Sequence, residues 1–267
     1  MKKLILILNL FFLVPYNWAF EQLGLELLPS KRPFRLTFAD PREIRMALSF
    51  QGSSGINASI GNYFSLLGIK PVSEGLQPDW IAHAGLEGAG YFTMRQADSR
   101  FPLETADGLI GTYFEGASGP FQGQLRFTHI SAHLADGSSG VPIAYSREFI
   151  SLRVGYVPGE ELQVYSGLQV LVNTVPKVEP WALQLGGNFF LPVQSNLTPF
   201  VSADLKWRQE SPENPAIHLL MGLALNNPPQ AFRSFRFYYA YFTGADPRGQ
   251  FYNQVVTTHS VGIDMQI

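Results

Sequence analysis

The sequence predicts an all-β protein: an antiparallel transmembrane β-barrel of about twelve strands, within a range of roughly ten to fourteen, behind a short N-terminal periplasmic arm. Three observations predict it. Successive segments alternate with a period of two, one parity of most segments is apolar from end to end, and no segment after the leader is an apolar run long enough to cross a bilayer as a helix. Around residues 217–225 one parity reads Ile217, Leu219, Met221, Leu223, Leu225 and the other His218, Leu220, Gly222, Ala224. The pattern returns as Leu183, Leu185, Gly187, Phe189, Leu191 against Gln184, Gly186, Asn188, and as Val201, Ala203, Leu205, Trp207 against Ser202, Asp204, Lys206, Arg208. A soluble β-sandwich also alternates, but its outward face carries charge. Here the face opposite the apolar row is mainly Gly, Ala, Ser, Gln and Asn with scattered charge, which suits a wall between lipid and water.

Taken in order, the chain begins with Lys2 and Lys3 ahead of the apolar run Leu4 to Val14, too short to span and right for the core of a secretory signal. Residues 1–19 are therefore expected to be removed near Ala19, with Asn17 making the cleavage site imperfect. Residues 20–43 form the arm. Leu23, Leu25, Leu27 and Leu28 are followed by Pro29, Pro33 and Pro41, which interrupt any helix. The arm shows no strand pattern and is placed either under the barrel or as a plug in its base. Residues 44–267 form the barrel. Strands are expected near 45–51, 57–68, 80–95, 104–116, 120–133, 146–157, 161–173, 181–191, 197–208, 216–226, 234–243 and 254–267. With both termini periplasmic, the connections at 116–120, 158–161 and 192–196 become periplasmic turns. Those at 135–145, 174–180, 210–215 and 244–253 face outward, and the periplasmic connections at 69–79 and 226–233 are unusually long.

Composition narrows the partners. A formal net charge of −2 and a pI near 6.2 leave no electrostatic footprint for nucleic acid. The chain has no cysteine and hence no disulfide framework. Aromatic residues at 13 % and charged residues at only 15 % suit a wall studded with interfacial rings. The expected location is the bacterial outer membrane, and the expected partners are its lipid and the machinery that assembles barrels there. Nothing in the sequence names a cofactor.

The strongest chemical constellation lies between Phe121 and His133. Its apolar parity, Phe121, Gly123, Leu125, Phe127, continues into His129, Ser131 and His133, so if Phe127 meets lipid, His129 and Ser131 do too. An imidazole and a hydroxyl two residues apart on one strand face are neighbours, as a base and the serine it activates must be. Glu148 shares the apolar parity of the following strand with Ile150, Leu152, Val154 and Tyr156. A hairpin centred between Gly137 and Gly140 puts Glu148 opposite Ser131, within reach of the second ring nitrogen of His129. His129, Ser131 and His133 also suit a strand simply leaving the membrane at its rim. His133 and Asp136 offer a different use, joining His129 as ligands of a metal, although no cysteine or further carboxylate supports a specific site.

Elsewhere, His83, Glu87, Tyr91 and Arg95 share one parity and are expected to line the lumen. Phe235, Phe237, Tyr239 and Tyr241 read as an aromatic lipid face, and His259 falls on the apolar parity of the last strand without a reason.

Two resemblances bear on these readings. The runs Leu28-Pro29-Ser30, Pro33-Phe34, Ala39-Asp40-Pro41-Arg42-Glu43, His129 to Gly137 and Ser146-Arg147-Glu148 resemble a bacterial family of exported proteins of unknown function, which implies an outer-membrane location and no mechanism. The His-x-Ser arrangement is similar to that of the outer-membrane phospholipase A and lipid A deacylase barrels, whose catalytic serine and histidine lie on the barrel's outside. That resemblance implies His129 as base, Ser131 as nucleophile and Glu148 as orienting acid. Those enzymes carry Asn directly after the serine, where this chain has Ala132. Backbone N–H groups or Arg147 would then have to meet the oxyanion. Two functions follow: a hydrolase of phospholipid or lipid A acyl esters, or a structural or narrow solute-passing barrel.

Overall fold

A computed structural model describes residues 23–72, 79–193, 196–211, 213, 215–225 and 234–266; the expected leader lies outside them, as do most of the two long connections. Thirteen strands form one antiparallel sheet. They are β1 (Leu23–Leu27), β2 (Met46–Gln51), β3 (Gly55–Pro71), β4 (Trp80–Arg95), β5 (Leu103–Ser118), β6 (Phe121–Leu134) and β7 (Ser146–Tyr156), followed by β8 (Leu162–Val175), β9 (Trp181–Phe190), β10 (Leu197–Arg208), β11 (Ala216–Leu225), β12 (Ser234–Ala245) and β13 (Val255–Gln266). Each of β3 to β13 pairs with its sequence neighbours, and β2 bridges β13 and β3, so β2 to β13 close into a cylinder. Closure leaves no free edge along the ring, the condition a wall in lipid imposes on every backbone polar group. The strands coincide with those expected from the alternation, apart from β1. This apolar piece of the arm pairs with the far end of β3, Leu27 against Leu67 and Leu23 against Pro71, where β2 no longer reaches.

Burial follows parity around the wall. On β6, Phe127 is half exposed while its neighbours Arg126 and Thr128 are buried; on β11, Met221 is exposed while Leu220 is 2 % exposed. The outward face is thus largely apolar, and the polar parity faces in. Phe237 and Tyr239 on β12 are on the outward face as expected, and His259 stacks there on Tyr241 with 5.1 Å between ring centroids.

The lumen is occupied. After β1 the chain turns inside, and Leu36, Phe38, Ala39 and Ile44 pack with wall residues Tyr63, Tyr113, Phe190, Phe200 and Leu220. Phe38 meets the Phe190 ring edge-on at 5.7 Å. Polar wall groups hold the inserted backbone: Asn188 Nδ2 donates to the Leu36 carbonyl at 2.9 Å, and His218 Nδ1 donates to the Ala39 carbonyl at 2.6 Å. Inserted acids meet wall cations. Asp40 accepts from Arg153 Nη2 at 2.6 Å, Lys206 Nζ at 3.0 Å and Gln184 Nε2 at 3.0 Å, while Glu43 accepts from the Tyr63 hydroxyl at 2.6 Å. Arg32 pairs with Glu115, and Arg42 with Asp107. Groups this deeply buried must be paired, because an isolated charge costs several kcal/mol to strip of water. A chamber of about 200 Å³ remains in the lumen, between Arg42 and Arg45 of the inserted segment and the walls of β3, β5 and β13.

Candidate active site on the outer wall

His129 and Glu148 face each other across the β6–β7 ladder, with Ser131 opposite Ser146 one step further toward the connection 135–145. The register is displaced by two residues from the one expected: Glu148 lies opposite His129, not Ser131. This improves the contact. His129 Nδ1 sits 2.6 Å from Glu148 Oε1. A carboxylate only accepts, so Nδ1 carries a proton in this contact, and in the neutral ring Nε2 then keeps the lone pair. Glu148 is held by two further donors, Ser146 Oγ to Oε1 at 3.2 Å and Asn173 Nδ2 to Oε2 at 2.7 Å. The side chains of His129 and Glu148 keep 40 % and 23 % of their surface exposed.

All of this lies on the apolar outward face. Phe127 and Ile150, paired directly beneath, are 51 % and 42 % exposed, whereas inward neighbours Thr128 and Phe149 are buried. Ser131 lies two residues from His129 on the same face, about 7 Å along the strand between Cα atoms. Its Oγ hydrogen-bonds to no group among the described residues. On its other side β5 presents Gly108, directly paired with Ser131. A β-carbon at Gly108 would meet only Ser131 Oγ within 4 Å, at 3.7 Å, so the wall beside the hydroxyl is open.

The remaining expected residues divide. Arg147 belongs to the opposite face. It is 5 % exposed, its guanidinium forms a two-pronged pair with Glu210 at 2.5 and 2.6 Å, and it stacks on Tyr145 and Tyr252. Strand alternation puts it there, and an oxyanion on the outward face is out of its reach. His133 and Asp136 are exposed and, among the described residues, no group of three or more His, Asp or Glu is arranged to hold a metal. His83, Glu87 and Tyr91 face the lumen. Glu87 takes Arg126 at 2.7 and 3.0 Å and Thr128 at 2.5 Å, and the Tyr91 hydroxyl donates to the Arg42 carbonyl. Arg95 does not join them: beyond a register shift between Thr93 and Met94 it lies half exposed at the rim, paired with Glu104 at 2.9 Å. Asn173 and Ser146 were not expected, and the period-two count gives no hint of Asn173.

Fold and site together define a barrel of the outer-membrane type with a Ser, His and Glu constellation on its outer wall. The chain belongs to the DUF1207 family, a family of proteins of unknown function, whose model matches residues 21–266. No curated protein matches it. Among solved structures it is similar to outer membrane phospholipase A from Escherichia coli, with a TM-score of 0.52 and 12 % identity over 88 % of this chain and 91 % of that one. An active-site mutant of the same enzyme, asparagine replaced by alanine, matches equally. The β domain of the Bordetella autotransporter Brka gives a TM-score of 0.39 at 13 % identity, covering 84 % and 97 %. At these identities the likeness establishes the fold, that of bacterial outer-membrane barrels.

Proposed function

We propose that this protein is an outer-membrane serine hydrolase that cleaves acyl esters of membrane lipid on the outside of its barrel. One observation carries the reading: an imidazole held at 2.6 Å by a carboxylate, with a serine two residues along, on the apolar face of the wall. A carboxylate and an imidazole are poorly placed against hydrocarbon unless they have work there, since each is costly to remove from water. The fold likeness to a phospholipase agrees with it.

In this reading Glu148 fixes the Nδ1–H tautomer of His129. Rotation of Ser131 about χ1 brings Oγ toward Nε2, which takes its proton as Oγ attacks the ester carbonyl carbon. Collapse of the tetrahedral intermediate expels the alcohol, protonated by His129, and leaves an acyl-serine. Water, deprotonated by His129, then releases the fatty acid and restores the serine. Backbone N–H groups or bound water must meet the oxyanion, because Arg147 faces the lumen. The open wall at Gly108 gives the ester room beside Oγ. The solute-passing alternative fares worse, since the inserted segment packs the lumen with paired charges and buried rings.

The test is hydrolysis of phospholipid in mixed micelles by the detergent-folded protein. Fatty acid release that disappears in Ser131→Ala supports the proposal; equal release by both proteins, or none by either, refutes it.

A further inference from the structure

Strand β8 carries an irregularity at the height of the site. From Tyr156 paired with Val164 up to Phe149 paired with Leu171, β7 and β8 run in strict register, and the next step pairs Glu148 with Asn173, skipping Val172. In an unbroken ladder Val172 would face Glu148, and Asn173 would turn inward with Gln163, Tyr165 and Gln169, which share its parity. The extra residue of this β-bulge leaves both Val172 and Asn173 exposed on the outer wall, while Thr174 is buried again. The outcome is a specific contact: Asn173 Nδ2 donates to Glu148 Oε2 at 2.7 Å, on the oxygen that His129 does not use.

Resting on the hydrolase reading above, we infer that Asn173 is a positioning residue, placed by the Val172 bulge to clamp the Glu148 carboxylate so that its other oxygen stays on His129 Nδ1. Glu148 ends a flexible side chain with three rotatable bonds. With Ser146 as its only other holder among the described residues, at 3.2 Å, it would be free to turn away from His129. An amide donor removes that freedom, so the carboxylate stays aimed at His129 when the imidazole becomes an imidazolium and its partner's charge matters most. Asn173 touches neither the ester nor Ser131, so its effect should fall on kcat and spare KM.

The experiment compares Asn173→Ala, Asn173→Asp and Asn173→Gln with the parent in detergent, by fatty acid release from mixed micelles and by the rate at which a fluorophosphonate labels Ser131. Folding is checked by the shift in gel mobility on boiling. Asn173→Ala should lower kcat and the labelling rate roughly ten-fold, with KM within about two-fold. Asn173→Asp keeps the shape but offers a carboxylate to a carboxylate, and should lose more than Asn173→Ala. Asn173→Gln, which keeps the donor, should retain more activity than either. A merely space-filling asparagine would make the isosteric Asp variant harmless and would move KM and kcat together, and either result overturns the inference. If the parent itself shows no hydrolysis that depends on Ser131, the proposed function fails first. If the parent hydrolyses and all three variants match it, only the role of Asn173 fails.

Discussion

The inside and the outside of this wall use polar residues in opposite ways. In the lumen, Asp40 meets Arg153 and Lys206, Glu87 meets Arg126 and Thr128, and Glu115 meets Arg32 and Gln124, so that each acid is buried and answered several times over. On the outer face a small polar cluster interrupts the apolar surface near Phe127 and Ile150, and it leaves one reactive atom, Ser131 Oγ, without a hydrogen bond among the described residues. Polarity inside fixes a chain segment in place. Polarity around Phe127 and Ile150 holds the His129 imidazole and leaves a hydroxyl available, which is what chemistry requires and packing does not.

The contrast is broken most sharply by two substitutions. Ser131→Ala removes no packing partner and should leave the barrel folded, judged by its gel mobility before and after boiling, while ester hydrolysis falls by about a thousand-fold or more. Arg153→Ala does the reverse. It strips Asp40 and Glu43 of a buried cation and should lower the stability to urea by about 3–5 kcal/mol, with activity per folded molecule unchanged. If Ser131→Ala unfolds the barrel, or Arg153→Ala abolishes turnover without loosening it, the division of labour between the two faces is wrong.

Most of the wall is legible in the sequence because one physical rule, lipid against a packed interior, acts on every strand with a period of two. Runs such as Ile217 to Leu225 declare their face without reference to their neighbours. The parity of His129, Ser131 and Glu148 follows from Phe127 and Ile150 by the same rule. What the rule does not carry is register across a long connection. The eleven residues between β6 and β7 could be centred two ways, and only pairing shows that Glu148 meets His129. Asn173 was hidden by the bulge, which reverses parity within one strand. The arm was hidden for a different reason. Leu23 to Leu27 become a strand only because β3 overruns β2, and the insertion of residues 32–44 depends on ion pairs with partners such as Asp107, Glu115 and Arg153, far away in sequence.

A milder change sharpens the outer site. Glu148→Gln keeps a carbonyl oxygen that can accept from His129 Nδ1, so the tautomer survives while the charge that stabilises the imidazolium is lost. Turnover should drop roughly ten-fold with the gel shift intact. Glu148→Leu, which removes the acceptor altogether, should lose considerably more. Equal effects from the two would mean that Glu148 serves the wall and not the imidazole.

The smallest expected effect concerns Arg147, next to Glu148 in sequence yet on the other side of the wall. Arg147→Met removes a cation that a reading of the sequence alone would place at the oxyanion. Because its guanidinium is spent on Glu210 and on the rings of Tyr145 and Tyr252, ester hydrolysis by the folded protein should stay within about two-fold of the parent. Stability should fall by about 1–3 kcal/mol as Glu210 loses its close partner, less than for Arg153, since Arg208 remains 3.8 Å from the same carboxylate. A large loss of kcat in a stably folded Arg147→Met protein would show that the inner face takes part in the reaction, and the separation of the two faces would have to be given up.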